Sequence, residues 1–257
     1  MSPLLQVDRV SKRFDGVQAL SDVSFSLGEG ELVGLIGPNG SGKTTLFNVA
    51  SGFIRPTSGR VVFDGEDITA WAPNRIARRG LSRTWQHNLV VLDETVRANI
   101  EVFAQASPRA DAVRVDDIAS VLGLEAFMDK RAGSCPHGVL RKLGIAMGLA
   151  ASPRLLMLDE PLAGLSTLEI DQATAAIRSV RDRFGTTVLW VEHNVAAIMS
   201  TCERVVVLSY GKFIADGTPG EVQAHPEVIE AYLGRDEEPE APDSRLRGND
   251  ERLAHAA

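Results

Sequence analysis

The 257-residue sequence holds only two cysteines, Cys135 and Cys202, and they form no spaced framework of disulfides or metal ligands. The start, Met1 to Asp8, lacks the basic cluster and apolar stretch of a signal peptide, so a reducing cytoplasm is the expected compartment. Long apolar runs are also missing. Leu155 to Leu158 and Val205 to Leu208 are both cut short by polar residues, far from the roughly 20 apolar residues that cross a bilayer. Any service to a membrane is therefore expected to run through a partner. Positive charge is in deficit, with 27 Lys plus Arg against 34 Asp plus Glu and a formal net charge of -7. That balance argues against a chain whose main work is neutralising nucleic-acid phosphates, and no nucleic-acid partner is expected. Internal repeats and heptad arrays are absent, which argues against long coiled-coil arms.

Apolar residues make up 44% of the chain, enough for a sizeable core at this length. Short β-branched runs at Glu31–Ile36, Arg60–Phe63, Leu155–Leu158, Thr186–Val191 and Arg204–Leu208 read as strands, with helical stretches between several of them. Such alternation predicts an α/β fold with a mainly parallel sheet, whose ligands bind at the carboxyl ends of strands. From about Gln86 to Ala150 helix-like segments dominate, so a helical subdomain, residues 87–150, is expected as an insertion into one domain spanning 1–235. Residues 235 to 257 carry four Arg against seven Asp plus Glu, and therefore -3 of the -7 charge. With little apolar content, residues 236–257 read as a disordered acidic and polar tail.

The strongest chemical signal is Gly37-Pro38-Asn39-Gly40-Ser41-Gly42-Lys43-Thr44, which follows an apolar strand and precedes a helix-like stretch from Thr45 to Ala50. This is the phosphate-binding pattern G-x-x-x-x-G-K-[ST] in its required context. The glycines let successive N–H groups turn inward around phosphate oxygens, and Lys43 places a charge on the β- and γ-phosphates. The Thr44 hydroxyl is a ligand for Mg²⁺, and the following helix adds its positive end. ATP with Mg²⁺ is thus the expected cofactor pair. Leu155-Leu156-Met157-Leu158-Asp159-Glu160 is an apolar strand that ends in two carboxylates. In a parallel sheet it delivers Asp159 as the outer partner of Mg²⁺ and Glu160 as the group that takes a proton from, or orients, the attacking water.

Four further motifs follow in order: Arg83-Thr84-Trp85-Gln86, Cys135-Pro136-His137-Gly138 before a helix, Ala163-Gly164-Leu165-Ser166, and Val191-Glu192-His193-Asn194. Over roughly residues 3 to 234 the set resembles the ATP-binding subunits of ABC transporters, and the stretch from Asp216 to Gly234 is similar to subunits of branched-chain amino-acid importers. The resemblance implies a P-loop NTPase with an N-terminal antiparallel β part and an inserted helical subdomain, the ABC ATPase fold. It implies that Gln86 reaches Mg²⁺ or the attacking water, that His193 contacts the γ-phosphate, and that Phe14 stacks on adenine. Asn39, Gly40, Ser41, Thr45 and the other loop residues would hold phosphates. Pro136, His137 and Gly138 would face the γ-phosphate of a second ATP-binding subunit.

Transmembrane permease subunits would dock on the helical insert from about His87 to Arg131, with a periplasmic or extracellular substrate-binding protein acting indirectly. The chain would sit peripherally on the cytoplasmic face of the membrane. Two features depart from the family pattern. Ser166 stands where Asp or Asn is usual, and Val139 and Leu140 stand where polar residues are expected after the signature glycine. The second departure favours a heterodimer with unequal sites, with a homodimer as the alternative. Trp71 and Trp190 are expected to serve packing. Rival readings are a soluble ABC ATPase acting on ribosomes or nucleic acid, which usually carries two nucleotide domains or basic arms, and a non-hydrolysing nucleotide switch, which Glu160 and His193 disfavour.

Overall fold

The computed structural model describes residues 2–84, 89–106 and 114–233. Two sheets share one interior. Strands β1 (Leu5–Phe14), β2 (Val17–Leu27), β4 (Ser58–Phe63) and β5 (Glu66–Asp67) form an antiparallel sheet in the order β2-β1-β4-β5. Strands β3 (Leu32–Ile36), β6 (Leu81–Arg83), β7 (Leu155–Asp159), β8 (Thr187–Val191), β9 (Arg204–Ser209) and β10 (Lys212–Gly217) form the second, ordered β10-β9-β3-β8-β7-β6. Its pairs are parallel except for the antiparallel β9–β10 hairpin at one edge. The expected strand at Arg60–Phe63 therefore exists, but in the antiparallel sheet.

The central strands are buried on both faces, and their side chains divide with period two, as a pleated strand requires. Val33, Leu35, Leu155, Met157, Leu189, Val191, Val206 and Leu208 point into one core, shared with helix α1 (Lys43–Ala50) and the antiparallel sheet. Leu32, Ile36, Leu156, Leu158, Val188, Trp190, Val205 and Val207 point into the other. There they meet α5 (His137–Ala150), α6 (Thr167–Phe184) and α7 (Val195–Thr201). Trp190 is fully buried, and burying a side chain of this class contributes a few kcal/mol, about 1.5–3 for the smaller aliphatic and aromatic ones. Trp71 is half-buried against the other core, with the Arg75 guanidinium 3.5 Å over its ring.

Between β6 and β7 the described residues form α3 (Val96–Ala106), α4 (Val115–Leu122), two 3₁₀ turns and α5. In α4 the apolar Ile118, Ala119 and Leu122 fall at helical spacing and are buried, while Gly123 ends the helix in the left-handed conformation that a C-terminal glycine favours. The short α2 (Pro73–Arg79) precedes β6 and opens with proline in its first turn, where a missing N–H costs nothing. The chain closes with α8 (Pro219–Gln223), capped by Thr218 with Glu221, and α9 (Pro226–Leu233). The region assigned to a tail, 236–257, lies outside the described residues.

Candidate active site

The phosphate-binding sequence connects β3 to α1 and curls because its backbone is braced from behind. Gly42, at φ 101°, lies so close to β2 that a Cβ there would sit 2.7 Å from the Ala19 carbonyl oxygen. Gly37, at φ 154°, abuts the Leu208 carbonyl, leaving no room for a side chain. The Gly211 N–H, in the β9–β10 turn, donates to the Ser41 carbonyl at 3.0 Å. Two segments distant in sequence, β2 and the β9–β10 hairpin, thus hold one loop.

Helix α1 begins at Lys43 with no side chain capping its first turn, so N–H groups and the helix dipole face the loop's concavity. The Ser41 hydroxyl is buried without a hydrogen-bond partner. Lys43 is buried, its ammonium donating to the Gly37 and Pro38 carbonyls at 2.7 and 3.1 Å. An orphaned hydroxyl, uncapped N–H groups and a cation curled inside a glycine loop are what a polyphosphate would satisfy. Asn39, Gly40 and Thr44 are exposed on the loop and helix start, while Thr45 is half-buried.

Strand β7 ends at Asp159, which is 7% exposed. Its carboxylate accepts from Arg83 Nη2 at 2.7 Å, and its N–H donates to Thr84 Oγ1 at 3.2 Å. Glu160 follows in the left-handed region, φ 49°, with its N–H donating to the Val191 carbonyl. For a non-glycine residue this is a strained conformation, and it re-aims the side chain at the strand end. Glu160 Oε1 lies 2.7 Å from Nε2 of His193, which stands just past the end of β8. The two residues expected to handle water and γ-phosphate are thus in contact, on adjacent parallel strands.

Glu192 has no role in the motif pattern, yet the fold buries it beside His193. It is 4% exposed and accepts from the Leu162 N–H at 2.7 Å and the His193 N–H at 3.0 Å. Burial pushes its carboxyl above the ordinary glutamate range, the nearby Glu160 adds to that, and N–H groups of Leu162, His193 and Asn194 oppose it. Arg83 is the other omission. For Glu192 a signal existed, since it directly follows the apolar run Thr187–Val191, whereas Arg83 ends the short, half-polar β6 and carried none.

Among the described residues no group of three or more His, Cys, Asp or Glu could hold a metal ion unaided. The donor set on offer, Thr44 and Asp159 beside a phosphate loop, fits Mg²⁺, which usually takes one or two carboxylates and leaves other positions to phosphates and water. Gln86, expected to join that set, lies outside the described residues.

Phe14 ends β1 and is 40% exposed, outside both cores, with the Lys12 ammonium 4.8 Å from its ring centroid. Its ring is therefore not consumed by packing. Pro136 and His137 are exposed at the start of α5. Gly138 is buried so tightly against Glu169 that a side chain would overlap the carboxylate. Val139 and Leu140 pack against the core, which gives their apolar character a structural use. Ser166, which departs from the usual Asp or Asn, donates through its hydroxyl to Glu169 at 2.7 Å and caps α6 within its own chain.

Residues 20–163 match the family described as ABC transporter, and residues 214–238 match the branched-chain amino acid ATP-binding cassette transporter family. The chain is 36% identical over 250 residues to the high-affinity branched-chain amino acid transport ATP-binding protein BraF of Pseudomonas aeruginosa, covering 90% of this chain and 98% of that one. Its identity to the lipopolysaccharide export system ATP-binding protein LptB of Acidithiobacillus ferridurans is also 36%, over 237 residues, with 91% and 98% covered. Among solved structures, the ADP conformation of an ATP-binding cassette of an ABC transporter superposes with a TM-score of 0.81 at 29% identity, covering 91% of this chain and all of the other. A phosphate loop, a carboxylate–histidine pair on neighbouring strand ends and family matches over most of the sequence lead to one conclusion: this chain belongs to the ATP-binding subunits of ABC transporters and is an ATPase.

Proposed function

We propose that this subunit binds MgATP and powers the import of branched-chain or related amino acids from the cytoplasmic face of the membrane. The contact between Glu160 and His193 at 2.7 Å carries the hydrolytic part of this reading. Glu160 accepts a proton from a water that attacks the γ-phosphorus, the bond from that phosphorus to the bridging oxygen breaks, and ADP and phosphate leave. His193, held by Glu160 and by Glu192, donates toward the γ-phosphate. Lys43 exchanges the Gly37 and Pro38 carbonyls for β- and γ-phosphate oxygens, and Phe14 stacks on adenine. Mg²⁺, held by Thr44, Asp159 and Gln86, supplies neutralisation of phosphate charge.

The family match at residues 214–238 and the likeness to BraF support an amino-acid cargo. No helix among the described residues is long and apolar enough to cross a membrane. An apolar groove of about 380 Å³ runs between α2, β6 and α3, lined by Phe53, Ile76, Ala77, Leu81 and Phe103, of which Phe53 is 50% exposed. A helix of a transmembrane permease fills it, α3 belonging to the expected docking insert. A second ATP-binding subunit closes over the phosphate loop, presenting its own signature segment, while this chain's Cys135–Leu140 segment faces the partner's γ-phosphate.

The reading includes a heterodimer with unequal sites, which the apolar Val139 and Leu140 of that segment support, since polar residues are expected there. The test is to purify the assembled complex from membranes, identify its partners, and measure ATP-dependent uptake of leucine, isoleucine and valine. Glu160→Gln in this chain should then cost far more ATPase activity than the equivalent change in the partner. Lipopolysaccharide-transport partners would replace the importer reading, and equal losses would sink the unequal-site reading.

A further inference from the structure

We infer that Arg83 is a positioning residue through which occupancy of the permease groove is felt at Asp159. The inference rests on the reading of that groove as the permease dock. Arg83 is the last residue of β6, and its side chain is 5% exposed. One guanidinium nitrogen, Nη2, donates to Asp159 Oδ2 at 2.7 Å. The other, Nη1, donates to Asn48 Oδ1 at 2.6 Å and to Ser51 Oγ at 3.2 Å. Asn48 lies in α1 and Ser51 directly follows it, so one planar fork ties the metal-side carboxylate to the helix that begins at Lys43. The guanidinium carbon also lies 5.5 Å from the Phe47 ring centroid, on the same helix.

The same residue also borders the groove. Arg83 and Phe103 both line the 380 Å³ groove, and both also line a second cavity of about 60 Å³ bordered by Thr84, Leu89 and Met147. An element pressed into the groove bears on Phe103 and on the aliphatic stem of Arg83 together. Because the fork is rigid and its bonds are directional, a small displacement of the stem is passed to Asp159 and α1 at once. A cation beside Asp159 also competes with any metal ion for that carboxylate. How firmly the fork is held therefore sets how readily Asp159 serves Mg²⁺. Lysine at this position would keep the charge and lose the two-sided grip.

The experiment compares the isolated chain with the assembled transporter, reading the Mg²⁺ concentration that gives half-maximal binding of a fluorescent ADP analogue. In the wild type, assembly should shift that concentration by about three-fold or more. Arg83→Met and Arg83→Lys should each abolish the shift. Asn48→Ala, which removes the shorter of the two hydrogen bonds toward α1, should reduce the shift while leaving the ion pair in place, and it keeps the test decisive if both Arg83 variants fold poorly. Phe103→Asp reports on the groove itself. If assembly survives Phe103→Asp, the groove reading fails and the inference fails with it. If Phe103→Asp blocks assembly but the wild-type half-saturation is the same alone and assembled, the inference about Arg83 is overturned and the groove reading stands.

Discussion

In the proposed mechanism Lys43 serves binding and Glu160 serves turnover, so their variants should separate the two. Lys43→Ala removes the fixed cation curled against Gly37 and Pro38, and nucleotide affinity should fall about a hundred-fold or more, measured by titration with a fluorescent ATP analogue. Glu160→Gln keeps the shape but cannot accept the proton. It should bind as the wild type does and lose about 10²–10⁴-fold in ATPase rate. Comparable loss of binding in both variants would overturn this division.

Glu192 offers a test in pH. Its raised pKa means that the protonated form is favoured by the folded state, so the stability it supplies is complete below the ordinary glutamate value and is lost as pH rises through the elevated one. Glu192→Gln should flatten that part of the stability–pH curve followed by thermal melting. It should also lower the ATPase rate, because an amide nitrogen would face one of the N–H groups of Leu162 or His193. An unchanged curve would show that the carboxylate is not the titrating group. The sequence singles out Lys43, Asp159, Glu160 and His193 because each sits in a recognisable string, and the structure brings Glu160 and His193 into contact. Arg83 and Glu192 escaped because their value lies in what they bridge, and bridges between strand ends are written in the topology.

At the level of elements, the central strands were readable because burial on both faces leaves unbroken β-branched runs. The β1–β2 hairpin was much less so. Its pairing shifts register between Val7 and Val10, between Val10 and Lys12, and between Lys12 and Arg13, with Arg9 and Asp22 at positive φ. Each bulge resets the alternation from which a strand is recognised. Helix α7 packs on β3 with no tolerance at Gly34, where a Cβ would overlap Ile198 and press on Cys202. Burial also pushes the Cys202 thiol up to about 12, so it stays a packing group. Gly34→Ala should cost about 1–3 kcal/mol, read from the urea midpoint. An unchanged midpoint would mean that α7 yields at no cost.

For the molecule as a whole, residues 236–257 carry acidic and polar sequence with little to bury. Deleting them should leave melting temperature and ATPase rate nearly unchanged, and a drop of several degrees on truncation would show that they dock. The remainder of the chain works as one unit because its site is assembled from distant stretches. The phosphate-binding loop illustrates this: Ala19 lies behind Gly42, Leu208 behind Gly37, and Gly211 is bonded to Ser41. On the ribosome, which releases residues in order, Gly37 to Thr44 emerge well before Leu208 and Gly211. Nucleotide is therefore no template for the early part of synthesis, and the nascent chain meets ATP as a folded receptor only after the β9–β10 turn has left the exit tunnel and closed against the loop.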